Sequence, residues 1–290
     1  STSSLTKRIV RDLKSLFISR ISEKMLYCTD NLIISGFIGV GTVGRYANYC
    51  MITQAISNIL TILANTIQPT VGDYFTEKNH QRNYEILRQL TFGFFCIASV
   101  ISVGLFSLIT PFVRDIWLGP SYELGWGITV LCIVVLLVRI MGLPLSLVMG
   151  VTGLFEKEKN VGASSALLNL IVSLALVKPY GMAGVLLGTL LSYLLQIVYR
   201  YIIYFRDFLE MPGEALRYAQ DIGEYLAVIA GEVLLMQKIV PLVYGAGGML
   251  LFCVCFLLCI AIPLLLDLVI FGRGWRLQSI VTMVKGMRKA

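Results

Sequence analysis

Six polar or ionisable residues crowd one stretch near the start of the chain: Arg20, Glu23, Lys24, Tyr27, Asp30 and Asn31. At about 100° per residue they share an arc of roughly 120° on a helix, and the rest of that helix is almost entirely Leu, Ile, Met, Ser, Thr and Cys. Such a face must meet water, a ligand or other polar groups. Internal salt bridging of Glu23 and Asp30 with Arg20 and Lys24 is one solution. Snorkelling of Arg20 and Lys24 to an interface is another. A second stripe is cleaner. Gln54, Asn58, Thr61, Asn65 and Gln68 follow spacings of four, three, four and three, so they fall on one line about 80° wide. Amides and hydroxyls both donate and accept hydrogen bonds, which suits sugar hydroxyls, so this stripe reads as one wall of a polar cavity. The competing reading is polar glue between helices.

A lone guanidinium, Arg139, lies in the apolar run Leu136-Leu137-Val138-Arg139-Ile140-Met141-Gly142, with no acid nearby in sequence and Pro144 five residues on. Its planar fork matches phosphate oxygens, and a structural pair with an acid on another helix is the alternative. Ser165, Asn169 and Ser173 recur every four residues, as do Gly184, Gly188 and Ser192, with Thr189 beside them. The small residues predict a close helix–helix contact. Glu224, Glu232, Lys238 and Asp267 form no clear stripe, and a Glu232–Lys238 pair is the expectation there.

The elements that carry these residues are set by composition. The chain is 57% hydrophobic and 14% charged, where a soluble domain carries about a quarter charged residues. Mean hydropathy is +0.80. Lipid must therefore be the main solvent. Apolar runs long enough to span a bilayer predict helices near 16–40, 46–72, 91–113, 124–150, 160–177, 182–204, 221–243 and 248–271. The fold class is an all-α integral membrane bundle of about eight spans. The runs are unbroken and lack period-two alternation, which argues against a β-barrel. The seven cysteines fall mostly inside apolar runs with no metal-ligand spacing, so they read as small packing residues. The one histidine, His80, sits in a charged loop, which argues against histidine-based catalysis and His-rich metal sites.

Most basic residues fall on one side of this bundle: Lys7, Arg8, Arg11 and Lys14 at the start, Lys78, Arg82 and Arg88 in 73–90, Lys157 and Lys159 in 151–159, Arg206 and Arg217 in 205–220, and Arg273, Arg276, Lys285, Arg288 and Lys289 in the tail. The opposite loops hold Arg45, Arg114 and Lys178. The positive-inside rule then predicts two cytoplasmic termini. The net charge of +7 arises from these scattered loops and does not read as nucleic-acid binding. Segment 73–90 and the tail mix basic and apolar residues and are expected as short interfacial helices. The first fourteen residues lack a signal-peptide pattern, and a first residue other than Met suggests a piece of a longer protein.

Several motifs resemble a known family. Asp30-Asn31-Leu32-Ile33-Ile34-Ser35 and Val43-Gly44-Arg45-Tyr46-Ala47-Asn48-Tyr49 resemble the opening of the second half of polysaccharide flippases, O-antigen and capsule types, of the multidrug/oligosaccharidyl-lipid/polysaccharide exporter superfamily. Pro69-Thr70-Val71-Gly72-Asp73, Trp117-Leu118-Gly119-Pro120-Ser121-Tyr122, Gly153-Leu154-Phe155-Glu156, Asn169-Leu170-Ile171-Val172-Ser173 and Gly184 to Ser192 match in order, over about 30–192. Beyond about 205 the likeness is one of hydropathy only. Such flippases have twelve to fourteen helices in two six-helix lobes. The resemblance thus implies a C-terminal lobe over 1–204, two additional helices over 205–271 and a basic cytoplasmic tail over 272–290, with the N-terminal lobe of a parent chain or other polysaccharide-assembly proteins as partners.

It further implies a transporter rather than an enzyme, in a bacterial inner membrane, that flips an undecaprenyl-pyrophosphate-linked oligosaccharide by alternating access for cell-surface polysaccharide synthesis. Arg20, Lys24 and Arg139 would attract the pyrophosphate; Gln54, Asn58 and Asn65 would hold sugar. No cofactor is implied beyond a coupling ion, Na⁺ or H⁺. Relatives place a monovalent-cation site in this lobe, which carries over to Asp30, Asn169, Ser173 and Thr189. Some relatives have a second acid at the position of Ser173, so one formal charge is lost here. The alternatives are a cation-coupled multidrug exporter of the same superfamily and a membrane polymerase or ligase, the latter disfavoured by short outer loops.

Overall fold

The computed structural model describes residues 29–75, 79–245 and 247–272, with only the backbone described for 155–160. Within them the chain is an all-helical, polytopic membrane bundle. Helix α1 is described over 29–37. The others are α2 (Val40–Tyr74), α3 (His80–Pro111), α4 (Trp126–Val151), α5 (Phe155–Tyr180), α6 (Met182–Ile202), α7 (Pro212–Tyr244) and α8 (Met249–Phe271). Seven helices among the described residues are long and apolar enough to cross a membrane. Most of the first expected span, 16–40, lies outside the described residues, together with Arg20, Glu23, Lys24, Tyr27 and the tail after Gly272.

Several helices run well beyond their apolar stretches. Helix α3 starts at His80, not near 91, and α7 at Pro212, not near 221. Hydropathy marks where lipid ends, not where hydrogen bonding ends. The sequence Gln81–Arg88 is polar but helix-competent, and its Tyr84 and Leu87 are buried, so one helix continues where a separate interfacial helix was expected. At two helix ends the last turn widens. Leu118 N–H reaches back to Val113 O at 3.0 Å, and Leu209 N–H to Tyr204 O at 2.9 Å.

The described residues form two compact units, one within Ser1–His80 and Trp126–Glu210, the other within Gln81–Gly125 and Met211–Ala290. Helix α3 groups with α7 and α8 because its inward side chains find their partners there. Phe92 and Phe95 pack with Tyr225 of α7 and Phe271 of α8, with Phe95 stacked on Tyr225 at 4.4 Å between ring centres. Arg88 pairs with Asp221 at 2.6 Å, and the Thr91 and Tyr218 hydroxyls meet at 3.1 Å. Glu232 is also buried in this unit and accepts a 2.6 Å hydrogen bond from Ser99 of α3. The expected Glu232–Lys238 pair is not formed: six residues along one helix separate side chains by about 120°, and Lys238 is exposed.

In the first unit, α2, α4 and α6 run in the same direction. Gly72 and Gly150 meet Val151 and Gln68 across the α2–α4 contact, and Gly142 meets Ile197 across α4–α6. Helices α5 and α6 form an antiparallel hairpin closed at Gly181, whose φ of 58° and ψ of −135° suit glycine alone. The predicted small-residue contact is present. A Cβ on Gly184 would strike the Leu176 carbonyl, and one on Gly188 would strike Ser173 Oγ. Bonds from Ser173 Oγ to Val185 O at 3.3 Å and from Gln196 Nε2 to Ser165 Oγ at 3.1 Å fix the register.

Candidate functional site

The α5–α6 hairpin sets one side of the site. With Gly188 absorbing the close approach at Ser173, the next inward pair along the seam is Asn169 and Thr189. Asn169 Nδ2 donates to Thr189 Oγ1 at 2.9 Å. Both face Asp30 of α1. Thr189 Oγ1 donates to Asp30 Oδ2 at 2.7 Å, and Asn169 Nδ2 lies 3.4 Å from Asp30 Oδ1. All three side chains are buried, Asp30 at 4% exposure, Asn169 at 1% and Thr189 at 6%. A carboxylate at such depth in a membrane protein must be protonated, paired or bound to a cation. Two neutral donors reduce its cost without cancelling its charge.

The donor set suits a hard monovalent cation. Asp30 supplies carboxylate oxygens, Thr189 a hydroxyl, and Asn169 Oδ1 is buried with no hydrogen-bond partner. Turning the Asn169 amide over would aim that carbonyl oxygen at the same point. Oxygen ligands of this kind hold Na⁺ rather than a soft metal. Ser173, the fourth expected ligand, is fully buried but bonded to Val185 O, one turn from the Asp30 carboxylate's partners. The structure thus brings Asp30, Asn169 and Thr189 into direct contact and leaves Ser173 as part of the hairpin seam.

Asp30 and Thr189 also line a cavity of about 50 Å³ within the same unit. That is room for a few water molecules. Its other walls are Tyr46, Cys50, Thr53 and Gln54 of α2, Cys132, Val135, Leu136 and Arg139 of α4, and Leu186 and Tyr193 of α6. The α2 residues recur at intervals of four, three and one, and the α4 residues at three, one and three, which is a single inward face on each helix. Arg139 is half-buried, and its guanidinium lies 5.8 Å from the centre of the Tyr193 ring. A cation on an aromatic face keeps its N–H donors available. Among the described residues no salt bridge takes Arg139, and Asp30 takes hydrogen bonds from Thr189 and Asn169 instead.

The amide stripe of α2 divides by position. Gln54 lines the cavity. Asn58 and Asn65 are exposed, Thr61 returns its hydroxyl to Ser57 O at 2.8 Å, and Gln68 packs against Gly150. Seen down the helix, the stripe is centred about 90° from the buried line of Tyr46, Tyr49, Cys50, Ser57, Leu60, Ala64 and Val71, on the flank of the helix. Arg20 and Lys24 lie outside the described residues. Tyr46, part of the Val43–Tyr49 motif, and Tyr193 are cavity residues that no polar stripe marks. The available signal was spacing: Tyr46 stands eight residues before Gln54, and Tyr193 four after Thr189.

No protein-family model matches the chain, and neither does any curated protein or any solved structure.

Proposed function

We propose that this chain is the cavity-forming part of a flippase that moves a polyprenyl-pyrophosphate-linked oligosaccharide from the cytoplasmic to the outer leaflet of a bacterial inner membrane. The observation that carries the reading is that Arg139, Gln54 and Asp30 line one cavity inside a membrane bundle. A guanidinium fork freed by an aromatic shelf suits a pyrophosphate. Exposed Asn58 and Asn65 continue from Gln54 along the same helix and suit sugar hydroxyls. The cavity holds a few waters, so the sugars would lie along that open flank, and the polyprenyl tail in lipid. The motif order over about 30–192 supports the same family.

The Asp30–Asn169–Thr189 cluster would couple transport to an ion. A cation bound there changes the charge on one cavity wall while Arg139 remains on another. An ion that binds one conformation better than another shifts the balance between them, as alternating access requires. Both termini would be cytoplasmic, and the partner an N-terminal lobe or another polysaccharide-assembly protein. A cationic-drug exporter fits less well, because Arg139 would repel its substrate.

The test is complementation in a bacterium lacking its own flippase for a surface polysaccharide, using the longest natural form of the protein. Restored surface polysaccharide, lost in Arg139→Leu with normal membrane levels, is the expected result. Full activity of Arg139→Leu refutes the substrate reading.

A further inference from the structure

The second unit holds a pair of acids that the proposed flippase site does not use. Glu232 of α7 and Asp267 of α8 are 3% and 4% exposed. They sit close enough to interact electrostatically, with Cys96 and Ser99 of α3 beside them. Ser99 commits its hydroxyl to Glu232 Oε2. That leaves Glu232 Oε1 and both oxygens of Asp267 buried without a hydrogen-bond partner.

Among the described residues no cation pairs with either acid. Helix α8 turns one narrow line inward, Cys255, Cys259, Pro263, Asp267 and Phe271, every fourth residue. Its remaining faces are Leu, Val, Ile and Phe, mostly exposed and suited to lipid. On one side of the pair lies the aromatic layer of Phe92, Phe95, Tyr225 and Phe271. Beyond it Arg88 is already paired with Asp221. Lys238, the other cation on α7 near this depth, is exposed. Ser99 is eleven residues, or about 16 Å, along α3 from Arg88, which places the acids near the middle of a hydrocarbon core roughly 30 Å thick.

Two buried carboxyls that interact electrostatically in such a place strongly disfavour double ionisation. Three buried acceptor oxygens with no donor among the described residues favour a proton held by the pair, as in coupled carboxyl pairs generally. We propose that Glu232 and Asp267 form a proton-binding dyad, a second ion site that is separate in chain position and chemistry from the Asp30 cluster. A proton taken up there removes one of the two negative charges of this buried pair, neither member of which has a salt bridge among the described residues, without any change at Asp30. The proposal does not depend on the transported substrate.

The test uses the whole chain in lipid nanodiscs. A hydrophobic carbodiimide adds across a protonated carboxyl and rearranges to a stable N-acylurea, so peptide mass spectrometry reads which acids carry a proton. The expected adduct is on Glu232 or Asp267, declining as pH rises, unchanged by sodium chloride, and absent from exposed Glu224. Infrared difference spectra of wild type against Glu232→Gln and against Asp267→Asn read the same proton without reagent access, and should show a protonated-carboxyl band lost in at least one variant. Absence of that band overturns the proposal. So does its removal by sodium, which would make the pair a metal-cation site instead.

Discussion

Thr189 Oγ1 on α6 donates a 2.7 Å hydrogen bond to Asp30 Oδ2 on α1, joining residues 159 apart in sequence. Asn169 of α5 braces both partners. The bond ties the helix that opens the unit to the hairpin that ends it. Thr189→Val keeps the shape and removes the donor, leaving a buried carboxylate oxygen unsatisfied. It should cost about 1–3 kcal/mol. In an Asp30→Asn background the same change should cost much less, with a coupling of at least about 0.5 kcal/mol. Thermal unfolding of the four proteins in detergent checks this, and additive effects would contradict the contact.

Ion binding at this cluster should be visible as stabilisation. Sodium at a hundred times its dissociation constant would raise stability by about 2.7 kcal/mol. Melting in sodium chloride against choline chloride at equal ionic strength should show a shift in wild type. The shift should vanish in Asp30→Asn. Equal melting of wild type in the two salts would remove sodium as the ligand.

The α5–α6 seam predicts two different responses to adding one methyl group. At Gly184 the obstacle is the Leu176 backbone, which cannot rotate away, so Gly184→Ala should destabilise by about 1–3 kcal/mol with no rescue at Ser173. At Gly188 the first obstacle is Ser173 Oγ, so Ser173→Ala should partly rescue Gly188→Ala. The rescue is partial because Ser173 N and Asn169 O are also close. Equal behaviour of the two glycines in the double-variant test would contradict this packing.

Much of this seam was legible in the sequence. Glycines and serines repeating every four residues on two consecutive spans announce a close antiparallel contact, and that contact then places Asn169 against Thr189. Asp30 joined them only through family resemblance, since nothing local to α1 says which helix it meets. The spans themselves followed from hydropathy, but the ends of α3 and α7 did not, because polar helical turns outside lipid leave no hydropathy signal. Glu232 was harder still. Its partner Ser99 lies on another helix 133 residues away, and a serine in an apolar span carries no mark of the acid it serves. The inward line of α8 was readable in principle from Cys255, Cys259, Pro263, Asp267 and Phe271.

The exposed part of the α2 stripe should be wet. In a background without exposed Cys253, cysteines at Asn58 and Asn65 should react with a water-soluble thiol reagent. A cysteine at Ile59, which is 65% exposed but on the lipid-suited face, should not. Gln68 should be protected by its contact with Gly150. Equal labelling of positions 58, 59 and 65 would remove the distinction between a polar flank and a lipid face.

Arg139 should show the difference between charge and geometry. Arg139→Lys keeps the charge and loses the fork, and should reduce transport on the order of tenfold, the effect of about one charge-assisted hydrogen bond. Membrane insertion should be unchanged. Failure of both Arg139→Lys and Arg139→Leu to accumulate would assign the residue to folding.

Transbilayer movement itself is the most direct measurement. The longest natural form of the protein would be reconstituted into vesicles with a fluorescent polyprenyl-pyrophosphate oligosaccharide, and the sugar reaching the far leaflet scored by its accessibility to a membrane-impermeant oxidant. Exchange well above protein-free vesicles, driven by a sodium or proton gradient, abolished in Asp30→Asn and reduced in Arg139→Lys, is the predicted result. Exchange no faster than in protein-free vesicles, with the protein shown to be folded by its thermal transition, would contradict the flippase account.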